Sequence, residues 1–127
     1  MPQEPASSFE PLHPQRLTWA AMLGRWVQFA RQAVGLPQDD AGVRMRQSVP
    51  DIIMLQAVWF ALEHLEEVDP QERALGLDRA ELLIDQHATA LEERWRSTPM
   101  PAELRRLIDD ARTQLKTARQ RYEQASH

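Results

Sequence analysis

Hydrophobic positions recur every three or four residues along most of this chain, which is the spacing of helices that bury one face. Prolines divide the pattern into stretches, and the residue before a proline resists the helical conformation. We therefore predict helices over about residues 14–34, 50–68 and 69–96, and from residue 101 nearly to the end. Their short connections favour an all-α, up-and-down antiparallel four-helix bundle.

The third and fourth predicted helices have the clearest signals. The sequence DPQE places Asp69 as an N-cap, Pro70 in the first turn and Glu72 three residues after the cap, which is a capping-box arrangement. The inward stripe of the third helix is Leu77, Ala80, Ile84, Ala88, Leu91 and Trp95. The fourth helix has a seam with alternating spacings of four and three residues, formed by Leu104, Ile108, Ala111, Leu115, Ala118, Tyr122 and Ala125.

The parts of the chain before and after the first helix are predicted to be irregular. Four prolines fall within residues 1–14, so we expect an N-terminal arm over 1–13 and a helical bundle domain over 14–127. Gly35 is the expected residue after the end of the first helix. Residues 36–48 are expected to form a connection with at most a short helical turn.

The second predicted helix is apolar on nearly every side. From Ile52 to Leu62 the only polar side chain is Gln56. The stripe that suits a bundle core consists of Leu55, Val58, Leu62 and Leu65. Ile53, Ala57 and Phe60 lie on the opposite side, in the same sector as His64. Burial of an isoleucine or a phenylalanine is worth roughly 1.5–3 kcal/mol, so we expect something to cover this second face.

Three covers for that face follow from the sequence, and the plainer alternative is that the second helix is simply the most central helix of a somewhat irregular bundle. The N-terminal arm could place Phe9 or Leu12 on it, or the 36–48 connection could place Val43 or Met45 there. The third cover is the same helix of a second chain, which gives a two-fold homodimer and which we prefer. The predicted interface residues are then Ile53, Ala57, Phe60 and His64.

Charge is distributed unevenly along the chain. The net charge is −4, with +1 over residues 1–50, −9 over 51–93 and +4 over 94–127. Oppositely charged segments are expected to pack against one another, and an acidic total argues against nucleic-acid binding.

The chain has no cysteine, which fits a reducing cytoplasm, and we expect neither a secretory signal at its start nor a membrane span.

Acidic residues close the second helix, where the negative end of the helix dipole disfavours them. Glu63-x-x-Glu66 followed by Glu81-x-x-x-Asp85, or by Asp78-x-x-Glu81 with the acids exchanged, resembles the paired acidic motifs of all-α nucleotide pyrophosphohydrolases of the MazG type. The resemblance covers about 23 residues and implies Mg²⁺ bound by these carboxylates, although the second pair has one residue too many. Arg73, Arg79 or other basic side chains are the alternative partners of these acids.

The remaining chemistry-bearing residues favour structure over catalysis. His64 and His87 lack the Glu-x-x-His spacing of di-iron bundles, and a hydrogen-bonded structural histidine is the expected state of His87. The tryptophans, at helical spacing, are expected to pack, so no cofactor is predicted. We therefore predict a non-catalytic, cytoplasmic interaction or scaffold protein that binds a protein partner or itself; the alternative is the Mg²⁺-dependent hydrolase.

Overall fold

The computed structural model describes residues 16–33 and 42–125, with side chains described for 16–32 and 42–123. Helix α1 spans Trp19–Ala33, α2 Gly42–Glu63, α3 Pro70–Arg94 and α4 Ala102–Ala125, and a 3₁₀ turn, Leu65–Glu67, follows α2. The predicted N-terminal arm and Gly35 lie outside the described residues. Of the four helices, none is both long enough and apolar enough to cross a membrane. The all-helical fold class predicted from the sequence is confirmed for the described part.

Helix α2 begins eight residues before the predicted start at Pro50, so the prediction of a connection was wrong for residues 42–48. A proline inside a helix removes one backbone hydrogen bond and costs about 3 kcal/mol. Here the turns on either side of Pro50 pack against the end of α3, a contact that a rule based on neighbouring residues does not include. Ser48 and Asp51 are buried, Ser48 accepts from the Trp95 indole at 3.1 Å, and Asp51 accepts from Arg94 at 2.7 Å.

The apolar character of α2 follows from its central position. It packs against α1, α3 and α4, whereas α1 touches α3 only slightly. Its buried side chains accordingly occupy a wide arc of the helix and include Ser48, Asp51, Ile52, Leu55, Ala57, Val58, Ala61 and Leu62. A helix with neighbours on several sides needs apolar residues on several sides.

The predicted inward stripes of α3 and α4 are confirmed wherever the structure describes them. On α3 the stripe is buried from Leu77 to Leu91, and Trp95 is partly buried. On α4 Leu104, Ile108, Ala111 and Ala118 are buried, while Leu115 and Tyr122 pack partly buried against the core.

Contacts between consecutive helices are compatible with the predicted up-and-down order. The start of α2 meets the end of α3, where Trp95 donates its indole hydrogen to Ser48 Oγ at 3.1 Å. The end of α3 meets the start of α4, where Arg105 lies 3.5 Å from Glu92. The antiparallel arrangement itself stays a prediction.

The start of α3 anchors the start of α1. Asp69 caps α3 as predicted, with its carboxylate accepting from the Gln71 amide at 3.0 Å. Glu72 instead turns its carboxylate to α1 and accepts from the Trp19 amide at 2.8 Å, so it satisfies an unpaired donor at a helix start. Backbone bonds join Leu17 to both Glu67 and Asp69, at 3.0 and 2.8 Å.

Gly76 allows α1 to approach α3 closely. It is buried, and a Cβ atom at this position would lie 2.8 Å from Cε3 and 3.1 Å from Cδ2 of the Trp19 ring. The indole therefore rests where any other residue would project a side chain. Trp19 itself is 3% exposed, so this contact belongs to the core.

Candidate interaction surface

Aromatic rings from α1 and α2 form a connected group on one side of the bundle, here called the aromatic cluster (Trp26, Phe29, Trp59, Phe60 and His64). Trp26 stacks on Phe60 and on His64, with 4.8 Å between ring centroids in each pair. Phe60 makes edge contacts with Phe29 at 5.5 Å and with Trp59 at 5.0 Å. Phe60 is thus the centre of the cluster, and its stacked and edge-on geometries are those that aromatic pairs prefer.

A groove of about 320 Å³ opens beside the cluster. We call it the aromatic groove; its lining residues are Phe29, Gln56, Trp59, Phe60, Leu107 and Asp110. These residues come from α1, α2 and α4, so the groove lies where these three helices meet. Phe29 retains 48% of its surface exposed, an unusual state for a large aromatic side chain.

The groove combines apolar rings with a single ionisable side chain. Of its lining residues only Asp110 carries a charge, and Asp110 forms no ion pair with any described residue. Gln56 adds an amide that can donate and accept hydrogen bonds. A surface of this kind can bind an apolar side chain together with a neighbouring cation, which is the chemistry of a protein interface.

The predicted interface residues occupy different environments. Ala57 is completely buried within the chain, whereas Ile53, Phe60 and His64 are partly buried. The rings of α1 lie over Phe60 and His64, and this cover was not among the three that the sequence suggested. The second apolar face of α2 is thus partly covered by α1. The part of this face that stays open lines the aromatic groove.

A second group of side chains joins the start of α2 to the end of α3, here called the polar cluster (Ser48, Asp51, His87, Arg94 and Trp95). Asp51 accepts from His87 Nδ1 at 2.8 Å and from Arg94 at 2.7 Å, using a different carboxylate oxygen for each. Ser48 Oγ lies 3.1 Å from the Trp95 indole nitrogen and 3.5 Å from Arg94.

Arg44 closes the polar cluster from the first turn of α2. It donates to the carbonyl oxygen of Arg94 at 3.2 Å, and its guanidinium carbon lies 5.6 Å from the centre of the Trp95 ring. The Ser48 hydroxyl is engaged by the Arg44 carbonyl and the Trp95 indole. The hydrogen bonds of this cluster connect α2 to the end of α3, and the Ser48 hydroxyl takes part in them.

The acidic end of α2 has a basic partner that the sequence suggested. Arg73 donates from Nε to the carbonyl oxygens of Leu65 and Val68, both at 3.1 Å, and from a terminal nitrogen to that of Glu66 at 2.7 Å. Its positive charge therefore lies against the carbonyl oxygens of the 3₁₀ turn that follows α2, and no bond to the carboxylates there is formed by Arg73 among the described contacts. Arg25 from α1 pairs with the Glu67 carboxylate at 3.3 Å.

The four acids of the magnesium alternative are exposed. Glu81 is bound by Arg119 at 2.6 Å, and the same guanidinium reaches Asp78 at 3.1 Å and Glu123 at 2.6 Å. Burial lowers the pKa of Arg119, but hydrogen bonds to Glu81, Asp78 and Glu123 outweigh it, so the pKa is raised overall. Within residues 16–33 and 42–125, no three acidic or histidine side chains are grouped so that they could hold a metal ion.

Both described histidines are hydrogen-bonded. His87 meets a carboxylate, as the sequence suggested, and its partner is Asp51. His64 Nδ1 lies 2.9 Å from the Phe60 carbonyl oxygen, to which it donates. The tryptophans pack as expected: Trp19 is buried, and Trp26, Trp59 and Trp95 are partly buried.

Some residues of these sites were not singled out from the sequence, although signals for them exist. Asp51 follows the same helical face as Leu55 and Leu62, and a carboxylate on a core stripe indicates a buried charge with partners. Phe29 lies at the edge of the apolar stripe of α1, where a ring is only half covered. No pattern among the neighbouring residues of α4 indicates that Asp110 lines the groove.

No protein-family model matches this chain, and comparisons with curated proteins and with solved structures found no match either.

Proposed function

We propose that this chain is a non-catalytic interaction or scaffold protein, an up-and-down bundle working in the cytoplasm, that associates with itself through the aromatic groove. Phe60 links this proposal to the interface predicted from the sequence, because it belongs both to that face of α2 and to the lining of the groove. Phe29 and Trp59 extend the contact surface beyond the residues first predicted.

The observation that carries the proposal is the incomplete burial of the aromatic cluster. Rings with partly exposed edges around a concave surface gain hydrophobic free energy when another protein covers them. Aromatic residues are enriched where protein interfaces are tightest, because they bury a large area with few rotatable bonds. In the polar cluster, by contrast, both carboxylate oxygens of Asp51 and the hydroxyl of Ser48 are hydrogen-bonded within the chain.

Replacement of Phe29 by glutamate tests the proposal. Phe29 is already half exposed, so Phe29→Glu should change the free energy of unfolding by no more than about 1 kcal/mol. Because it places a charge among the rings of the groove, it should weaken self-association about tenfold to a hundredfold, measured by sedimentation velocity over a wide range of protein concentration. Val43→Glu is the matched control, since Val43 is 50% exposed and lies outside the groove.

The outcomes separate the possibilities. Equal self-association of the wild type and of Val43→Glu, with a Phe29→Glu variant that associates at least about tenfold more weakly, supports the proposal. A wild type that remains monomeric at every concentration contradicts self-association. A Phe29→Glu variant that associates like the wild type contradicts the role of the groove. Phe60→Glu should unfold more readily than Phe29→Glu, because Phe60 contacts three other rings of the cluster.

A further inference from the structure

A second exposed apolar surface lies on α3, here called the leucine strip (Leu75, Arg79 and Leu82). Leu75 is 45% exposed and Leu82 is 69% exposed. These positions are seven residues apart, so they lie on the same face of the helix, and Arg79 lies between them on that face. The buried stripe of α3, which runs from Leu77 through Ile84 to Leu91, faces the opposite way.

The leucine strip has the complementary chemistry to the aromatic groove. The groove offers rings and one carboxylate, Asp110, whereas the strip offers two leucines and one guanidinium, Arg79. Neither charge forms an ion pair with a described residue, and both side chains are exposed. The described part of the chain has four large apolar residues that are exposed. Three of them belong to these two surfaces: Phe29, Leu75 and Leu82.

The two surfaces are separate on the molecule. The groove is lined by α1, α2 and α4, and α3 contributes no residue to its lining. A contact between different surfaces of identical chains is heterologous, so each added chain leaves one groove and one strip unoccupied unless the assembly closes into a ring.

We infer that the occupant of the aromatic groove is the leucine strip of a second copy of this chain. Leu75 and Leu82 enter the groove against Phe29 and Trp59, and Arg79 pairs with Asp110. The chains then assemble head to tail. This inference rests on the proposed self-association, specifies its two surfaces and its polarity, and replaces the two-fold homodimer expected from the sequence with a heterologous contact.

Mixing two complementary variants tests this arrangement. Leu82→Glu damages the strip and keeps the groove, whereas Phe29→Glu damages the groove and keeps the strip. Each variant alone should associate about tenfold to a hundredfold more weakly than the wild type, since each removes the burial of one large apolar side chain. Their equimolar mixture should form a complex of two chains and nothing larger, because only one intact groove and one intact strip can meet. Sedimentation velocity measures the masses.

A charge exchange provides an independent measurement. Asp110→Arg or Arg79→Asp alone should weaken association about two- to fivefold, the range expected of an exposed ion pair, and the double variant should restore it. Asp109→Arg is the matched control, because Asp109 is exposed on the same helix but does not line the groove.

Several results would overturn the inference. If the wild type associates but Leu82→Glu associates equally well, self-association stands and the strip is not the occupant. If the variant mixture stays monomeric while the wild type associates, the contact is not heterologous. If the wild type is monomeric, the proposed self-association itself fails. If Phe9→Glu then makes the chain associate, its own N-terminal segment fills the groove.

Discussion

The two faces of α2 are held in different ways. On one face Asp51 and Ser48 make directed hydrogen bonds to the end of α3, and the carboxylate of Asp51 is almost enclosed. On the other face Phe60 is held by ring contacts from α1 and from its own helix, and a groove remains open beside it. The first face fixes the geometry of two helices, and the second leaves apolar surface available.

This difference teaches where specificity and binding reside in a small bundle. Buried polar groups must find their partners at defined distances, so the polar cluster allows few alternative placements of α2 on α3. Ring packing is less directional, so the aromatic cluster can hold α1 and still present edges to another surface. Substitutions on the two faces should therefore differ in how much stability they remove and in which helices they affect.

The largest effect is expected from Asp51→Ala in the polar cluster. It leaves the Arg94 guanidinium and the His87 imidazole without their shared acceptor, and removal of one partner from a buried ion pair costs about 3 kcal/mol or more. Chemical denaturation measures the loss. Asp85→Ala, at an exposed position of α3, should stay within about 0.5 kcal/mol of the wild type. Equal losses of unfolding free energy in both variants would contradict a specific contribution of the polar cluster to stability.

A smaller effect with a different pattern is expected from Trp26→Ala in the aromatic cluster. Loss of a partly buried indole should cost about 2 kcal/mol, less than the 3–5 kcal/mol typical of a fully buried tryptophan. Because α1 packs chiefly on α2, amide hydrogen exchange should accelerate mainly in α1 while α3 keeps its protection. Equal loss of protection in α1 and α3 would contradict the separate roles of the two faces.

The smallest effects, of opposite sign, are expected at two glycines. Gly76→Ala forces a methyl group against the Trp19 ring and should destabilise the fold by about 1 kcal/mol, after the better helix propensity of alanine is included. Gly24→Ala on α1 meets nothing within 4 Å, so it should stabilise by about 0.5–1 kcal/mol. Thermal unfolding measures both. A stabilising Gly76→Ala would mean that α1 does not rest on α3 as described.

The helices and their buried stripes could be predicted because their signals are local. Asp69 caps α3 as its sequence indicates, and the stripe from Leu77 to Leu91 is buried. The start of α2 could not be predicted, because a proline rule is local and the packing of Ser48 and Asp51 against α3 is not. The candidate site was predicted only in part: Phe60 was identified, but Asp110 reaches the groove from a helix about fifty residues later in the chain.

That α2 has apolar residues on more than one side can be read from the order of its residues alone, because side-chain periodicity along a helix depends on nothing else. What lies over each side is set by the packing of the helices. That choice depends on contacts between residues far apart in sequence, such as Trp26 with Phe60 and Asp51 with Arg94. The same contacts decide which apolar surface is left open, since an aromatic ring covers only the area that it touches.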